Sequence, residues 1–230
     1  VPIIDLMTGM YASTAVLAAL ARREQTGEGD YIDVGMLDVQ VAVLSNQAMS
    51  YLVSGKVPGR RGNAHPNIQP QNVYRCRDGD LILVVGNDTQ FARFAEAVGH
   101  PEWSEDERFA RNSSRVGNQA ALNALIDEAL LQQDRAHWIA RIEAAEVPCG
   151  SINSIPEVFE DPQVKFRDML KKLPHPVAGE VPTLSNPLRF SSGPLAYRSA
   201  PPLLGQHTEE ILAELGMAEE LAELRAKGAI

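Results

Sequence analysis

The opening stretch constrains the fold more than any other, because Val1 to Val34 reads as strand, helix, strand. Val1–Ile4 is an apolar run suited to the end of a buried strand, and Thr8 stands where an N-cap belongs, ahead of a helix extending to about Arg23. Small residues dominate that helix. Gly9, Ala12, Ser13, Ala15, Ala18, Ala19 and Ala21 let neighbouring backbones approach closely, while Met10, Val16, Leu17 and Leu20 supply an apolar face. Glycines of the Gln25-Thr-Gly-Glu-Gly29 run follow where a left-handed cap is wanted, and Tyr31–Val34 then alternates as a second strand. A helix between two strands is the unit of a parallel α/β sheet, and Leu37–Leu52 predicts a further helix.

From 53 to 71 the composition changes to Ser, Gly, Pro, Arg, Asn and His, which predicts a loop and a boundary. Residues Gln71–Val85 predict a hairpin turning at Arg77-Asp-Gly-Asp80, and Asp88 or Thr89 is expected to cap a helix reaching Val98. Apolar residues at three and four spacing predict helices over 118–132 and 135–145. Val147–Ile152 reads as a short strand returning to the first unit. Helical turns are expected over Pro156–Leu170, strand pieces over Leu173–Phe190, and two short acidic helices over Thr208–Lys227. The organisation expected is a large unit from 1–52 and 147–230, a linker at 53–71, and an inserted small α+β unit at 72–146.

With 230 residues the chain is long enough for a sizeable core. Lys and Arg number 21 against 30 Asp and Glu, a net charge of −9 that argues against nucleic acid as the main partner. No segment approaches about 18 uninterrupted apolar residues, so no membrane association is expected. The two cysteines, Cys76 and Cys149, build neither a disulfide framework nor a four-cysteine zinc site within one chain. A reducing compartment fits, cytoplasmic, or mitochondrial in a eukaryote. The five histidines have no metal spacing, so no metal site is expected. Val1 begins inside an apolar run, which predicts a fragment of a longer protein.

Asp5 is the leading candidate for chemistry. Read as lying between a strand and a helix N-terminus, it occupies the crevice where open α/β sheets hold ligands. The helix end favours the ionised form, which suits a nucleophile or base, and equally suits a first-turn acid that only stabilises the helix. Gly27-Glu-Gly29 follows a helix rather than a strand, so it reads as a cap and not as a phosphate loop. Residues 60–67, with two guanidinium groups and an imidazole, read as a solvated linker or as a mobile loop covering a site and supplying His65. A Walker loop and a nucleophile elbow are absent from the sequence.

Taken in order, Asp5-Leu-Met-Thr-Gly9, Ala18-Ala-Leu20, Thr26-Gly-Glu-Gly29, Ile32-Asp33, Asp78-Gly79, Val147-Pro-Cys-Gly150 and Pro202-Leu-Leu-Gly-Gln-His-Thr208 resemble the family III CoA-transferases. Gly62-Asn-Ala-His-Pro-Asn-Ile-Gln-Pro70 with Asn87-Asp-Thr-Gln-Phe91 is most similar to the branch acting on dicarboxylic acyl groups such as succinate, hydroxymethylglutarate or glutarate. The resemblance implies an incomplete Rossmann-like large domain with an inserted small domain. It also implies a nucleophilic carboxylate at Asp5, a CoA-pocket residue at Met36, and a covering loop at Gly62, Asn63, Ala64, His65 and Pro66. In formyl-CoA transferases that loop is a run of glycines, of which only Gly62 stands here. Coenzyme A is implied as a substrate, with no permanently bound cofactor, acyl-CoA and a carboxylic acid as partners, and an interlocked homodimer. Members carry an upstream segment that completes the nucleotide-binding sheet, and this chain does not include it. Two other readings share the fold: an α-methylacyl-CoA racemase using an aspartate and a histidine, and a truncated member without catalysis.

Overall fold

Ile3–Thr26 is one continuous helix, α1, in a computed structural model that describes residues 1–230. The strand expected at Val1–Ile4 is therefore absent: Ile3 and Ile4 belong to the helix, and Val1 is wholly exposed. Thr8 is not a cap but lies inside the helix, its Oγ1 donating to the Ile4 carbonyl at 2.7 Å. Gly27 does end the helix, with a left-handed φ of 77° and its N–H donating to the Arg23 carbonyl at 2.8 Å. By length and composition α1 is apolar enough to cross a membrane, although Asp5, Thr8, Ser13 and Thr14 interrupt it and no uninterrupted apolar run of the expected length occurs. Its many alanines raise the average without any long run of large side chains.

The second expected strand, Tyr31–Val34, pairs with nothing. A strand exists through its hydrogen-bonded ladder, and no ladder forms along this segment. The single helix expected over Leu37–Leu52 is two, α2 (Met36–Val43) and α3 (Ser45–Ser54). They part where Ser45 takes a positive φ of 47°, outside helical geometry. Residues 55–70 contain no helix or strand.

β1 (Gln71–Cys76) and β2 (Gly79–Val84) form the expected hairpin, in register from Gln71 opposite Val84 to Cys76 opposite Gly79. A Cβ on Gly79 would lie 2.7 Å from Arg135 Nε, so glycine leaves room for that guanidinium. Arg135 in turn donates from its backbone to Asp78 Oδ1, and from its side chain to the Ile152 carbonyl and Glu157 Oε1. Asn87, not Asp88 or Thr89, caps α4 (Asp88–Ala97). Its side chain accepts from Gln90 N at 2.9 Å because Asn87 is the last extended residue and Asp88 is already helical. A 3₁₀ turn at Pro101–Ser104 is followed by α5 (Asn112–Gly117), α6 (Gln119–Leu130) and α7 (Arg135–Ala144).

The short strand near 150 exists, as β3 (Cys149–Ser151), but it does not return to the first unit. It pairs antiparallel with the free edge of β2, Leu83 opposite Cys149 and Leu81 opposite Ser151. Tyr74, Cys76, Leu81, Leu83 and Val85 alternate onto one face of this sheet and meet Phe91, Phe94, Leu122, Ile126, Leu130, Trp138 and Ile142 from the helices. All eighteen members of the buried hydrophobic cluster lie between Tyr74 and Val147. Its polar atoms are paired where they enter: Tyr74 donates to Asn123 Oδ1 and Trp138 to the Leu130 carbonyl.

Beyond this sheet come α8 (Ile155–Glu160), α9 (Pro162–Phe166), the hairpin β4 (Leu170–His175) with β5 (Gly179–Leu184), α10 (Thr208–Glu214) and α11 (Leu221–Ala226). Helices and strands mix as expected of an α/β protein. Every strand pair is antiparallel, so the strand-helix-strand unit expected at the start is not realised within these residues.

Candidate active site

Asp5 is the third residue of α1, within the turn whose amides lack helical acceptors. Its carboxylate is exposed and makes no side-chain hydrogen bond or ion pair. Met36 opens α2 and is half exposed. Gly62 takes a left-handed φ of 61° in a turn that Ala64 N–H closes on the Arg61 carbonyl at 3.1 Å. Here glycine is what the backbone asks for.

A cavity of about 640 Å³ lies between α2, α3 and this loop, lined among others by Leu44, Tyr51, Leu52, Arg61, Gly62 and Ala64. Thus the fold brings Gly62 and Ala64 against the second and third helices. Asp5, Met36, Asn63 and His65 do not line this cavity. His65 faces its own segment: its Nδ1 accepts from Asn67 N, and its carbonyl accepts from Gln69 Nε2.

Sequence reasoning missed the cluster beneath the loop. Arg115 is fully buried; its Nε donates to the Gln69 carbonyl at 2.6 Å, one terminal nitrogen to the Phe109 carbonyl at 2.8 Å, and the other to Asp88 Oδ1 at 2.8 Å. The guanidinium also lies over the Phe91 ring, 4.4 Å from its centroid. Burial lowers the Arg115 pKa from its ordinary value, opposed by Asp88. For Asp88, desolvation raises the pKa but is outweighed by Arg115 and by the Asn112 amide, which hold it below the usual carboxylate value. Asn112 bonds the loop twice, Oδ1 accepting from Gln69 N at 3.1 Å and Nδ2 donating to the Asn67 carbonyl at 2.8 Å. No local signal separates Arg115 from the other arginines, since two of its partners, Gln69 and Asp88, lie 46 and 27 residues away.

The surroundings of both thiols favour the protonated form. Burial first, and then nearby acids, push Cys76 and Cys149 up to about 11.

The profile described as CoA-transferase family III matches residues 1–208. The chain belongs to this family. Among its curated relatives, the succinate–glutarate CoA-transferase of Agrobacterium fabrum is 42% identical over 222 residues, covering 96% of this chain and 56% of that protein. The human succinyl-CoA:glutarate CoA-transferase is 34% identical over 228 residues, covering 98% of this chain and 52% of that protein. This member of CoA-transferase family III therefore spans about half the length of those relatives. A CAIB/BAIF family protein from Brucella suis shares its fold with a TM-score of 0.80 at 44% identity, over 94% of this chain and 56% of that one. The family match includes α1, the 55–70 loop and the sheet, so Asp5 and the loop both fall within the matched residues.

Proposed function

We propose that this chain is part of an enzyme that moves coenzyme A between an acyl-CoA and a carboxylic acid, with Asp5 as nucleophile. The observation that carries this reading is the family match through residues 1–208, with Asp5-Leu-Met-Thr-Gly9 on the first turn of α1. Two relatives named for transfer involving glutarate favour a dicarboxylic acid as acceptor.

In this reading a carboxylate oxygen of Asp5 attacks the donor thioester carbonyl; a C–O bond forms, the C–S bond breaks, and CoA thiolate leaves a mixed anhydride. The thiolate attacks the aspartyl carbonyl, releasing the donor acid and leaving an aspartyl thioester. The acceptor carboxylate then displaces the thiolate to form a second anhydride. Attack of the thiolate on the acceptor acyl carbonyl frees Asp5 and the new acyl-CoA. No water is consumed. Each oxyanion needs donors, and amides of the first turn of α1 and of the Gly62–Pro66 segment are suited to that role once the loop closes over Asp5. Closure also excludes water, which would hydrolyse either intermediate. Met36 is read as lining the CoA pocket, and the exposed apolar faces of α1–α3 as surfaces that meet the rest of a homodimeric enzyme. Two unpaired cysteines fit a reducing compartment.

The test uses the enzyme as its gene encodes it. Incubation with donor acyl-CoA and trapping with hydroxylamine or borohydride is expected to label Asp5, located by peptide mass. Asp5→Asn is nearly isosteric and is expected to lose transfer by roughly 10⁴-fold or more, as nucleophile removal does elsewhere. Full transfer by Asp5→Asn, or an unlabelled Asp5 during turnover, overturns the assignment. A racemase would lose activity in the variant but form no bond to Asp5.

A further inference from the structure

The 55–70 loop is held very unequally at its two ends. On the α3 side, Gly59–Asn63 is exposed and the only hydrogen bond of its backbone is the turn from Ala64 N–H to the Arg61 carbonyl. On the sheet side the backbone is seized at successive residues. The Asn67 carbonyl accepts from Asn112 Nδ2, Gln69 N–H donates to Asn112 Oδ1, the Gln69 carbonyl accepts from Arg115 Nε, and the Pro70 carbonyl accepts from Val85 N–H. Gln69 is itself fully buried, and its Nε2 reaches back to the His65 carbonyl at 2.8 Å while His65 N–H donates to the Gln71 carbonyl. Its Oε1 is buried without a partner, so the side chain is oriented for that reach rather than for its own satisfaction.

Two of the groups that hold the loop converge on one oxygen. Asp88 Oδ1 accepts both from Asn112 N–H at 2.9 Å and from Arg115 at 2.8 Å. Asp88 is the first residue of α4, Asn112 the first of α5, and Arg115 lies one turn later on α5. The start of α4 thus fixes the start of α5, and α5 grips the segment immediately following Gly62–Pro66.

We infer that Asn112 and Arg115, braced by Asp88, are positioning residues: by fixing the backbone of Asn67–Pro70 they set where Gly62–Pro66 stands over the reacting carbonyl. The inference rests on the proposed CoA transfer for its catalytic consequence. None of the three touches substrate in this account; each acts through the loop. A loop released at this stem retains its residues but lets water reach the anhydride or thioester. Hydrolysis of acyl-CoA, in which water adds to the carbonyl and CoA thiol leaves, then competes with transfer.

The experiment measures both rates in the enzyme as its gene encodes it, unmodified, as Asn112→Ala and as Arg115→Lys. Asn112→Ala removes both side-chain bonds to the loop and keeps the backbone bond to Asp88. Arg115→Lys keeps a positive charge beside Asp88 but has no group in the place of Nε. Asn112→Ala is expected to raise the ratio of hydrolysis to transfer by about tenfold, since a displacement of about 1 Å can cost a hundredfold in rate. The fall in transfer should lie in kcat, with KM for the acyl-CoA little changed. Hydrogen exchange is read in parallel, and the bonded amides of Ala64, His65 and Gln69 are expected to exchange faster while those of β1, β2 and α6 keep their protection. A purely structural role would lower transfer and hydrolysis together and leave their ratio unchanged, which overturns the inference. Unchanged exchange at Ala64, His65 and Gln69 in both variants overturns it as well. If the unmodified enzyme transfers no CoA, the functional reading fails by itself, and hydrogen exchange still decides whether Asn112 and Arg115 hold the loop.

Discussion

Phe94 and Leu122 are completely buried, whereas Leu17 on α1 is 67% exposed and Leu204, near the other end, is wholly exposed. Phe94, Leu122 and Leu17 lie in helical apolar patterns of the same kind, so pattern alone does not separate them. Between Gln69 and Ser151 the elements find one another: a three-stranded sheet offers one face, helices α4, α6 and α7 cover it, and Arg115 and Arg135 tie the loops around it. The flanking stretches have no such partner within the 230 residues. α1 has 24 residues and buries none of them fully, and of α2 and α3 only Val39 is buried. An amphipathic helix is stabilised mainly by what it packs against, so the same sequence logic yields a core in one region and exposed apolar faces in the other.

The comparison breaks most easily by hydrogen exchange on the 230-residue chain. Amides from Tyr74 to Val147 are expected to show the chain's highest protection, and those of α1 to α3 and of 152–230 to exchange orders of magnitude faster. The chain should also bind a hydrophobic dye and self-associate. Uniform protection with no dye binding would mean that the flanks are as well packed as the sheet.

Next in size are truncations within each region. Phe94→Ala should cost about 3–5 kcal/mol and Leu122→Ala about 2–5 kcal/mol in urea unfolding. Leu17→Ala and Leu204→Ala should stay within about 0.5 kcal/mol. Equal costs on the two sides would erase the distinction.

The smallest effect sharpens the edge between the regions, where Arg135 of α7 holds Glu157 of α8. The Arg135 hydrogen bond, with further bonds from Ser154, holds the Glu157 carboxyl at about 2 against an ordinary 4.5. A depressed folded-state pKa stabilises above the unfolded value, so this contribution is complete above pH 4.5 and is lost as pH falls toward about 2. Titration of the Glu157 carboxyl by NMR should place its midpoint near the lower value, and Arg135→Gln should return it toward the upper one. A midpoint at the ordinary value in the unmodified chain would remove Glu157 from the contacts joining the two regions.

Much of the local structure was legible because it rests on neighbours in sequence. The hairpin at Arg77-Asp78, the helices at 119–130 and 135–144 and the Gly27 cap follow from alternation, helical spacing and a backbone that demands positive φ. Asp5 was legible as a carboxylate at a helix start, although the strand expected before it is helix instead. Val1–Ile4 and Tyr31–Val34 failed as strands for one reason: apolar alternation marks a segment able to pair, and pairing needs a second segment.

By itself, then, the sequence determined the helices at 119–130 and 135–144, where the hairpin turns, and which family's motifs it carries, since these depend on residues a few positions apart. Tertiary structure alone decided that β3 completes the hairpin's sheet and which apolar faces are covered. It alone brought Gln69, Asp88, Asn112 and Arg115 together beneath the loop. Those contacts join residues 66 to 70 positions apart where β3 meets β2 and 24 to 46 apart in the clamp, and their energy comes from burial and geometry that no local pattern encodes.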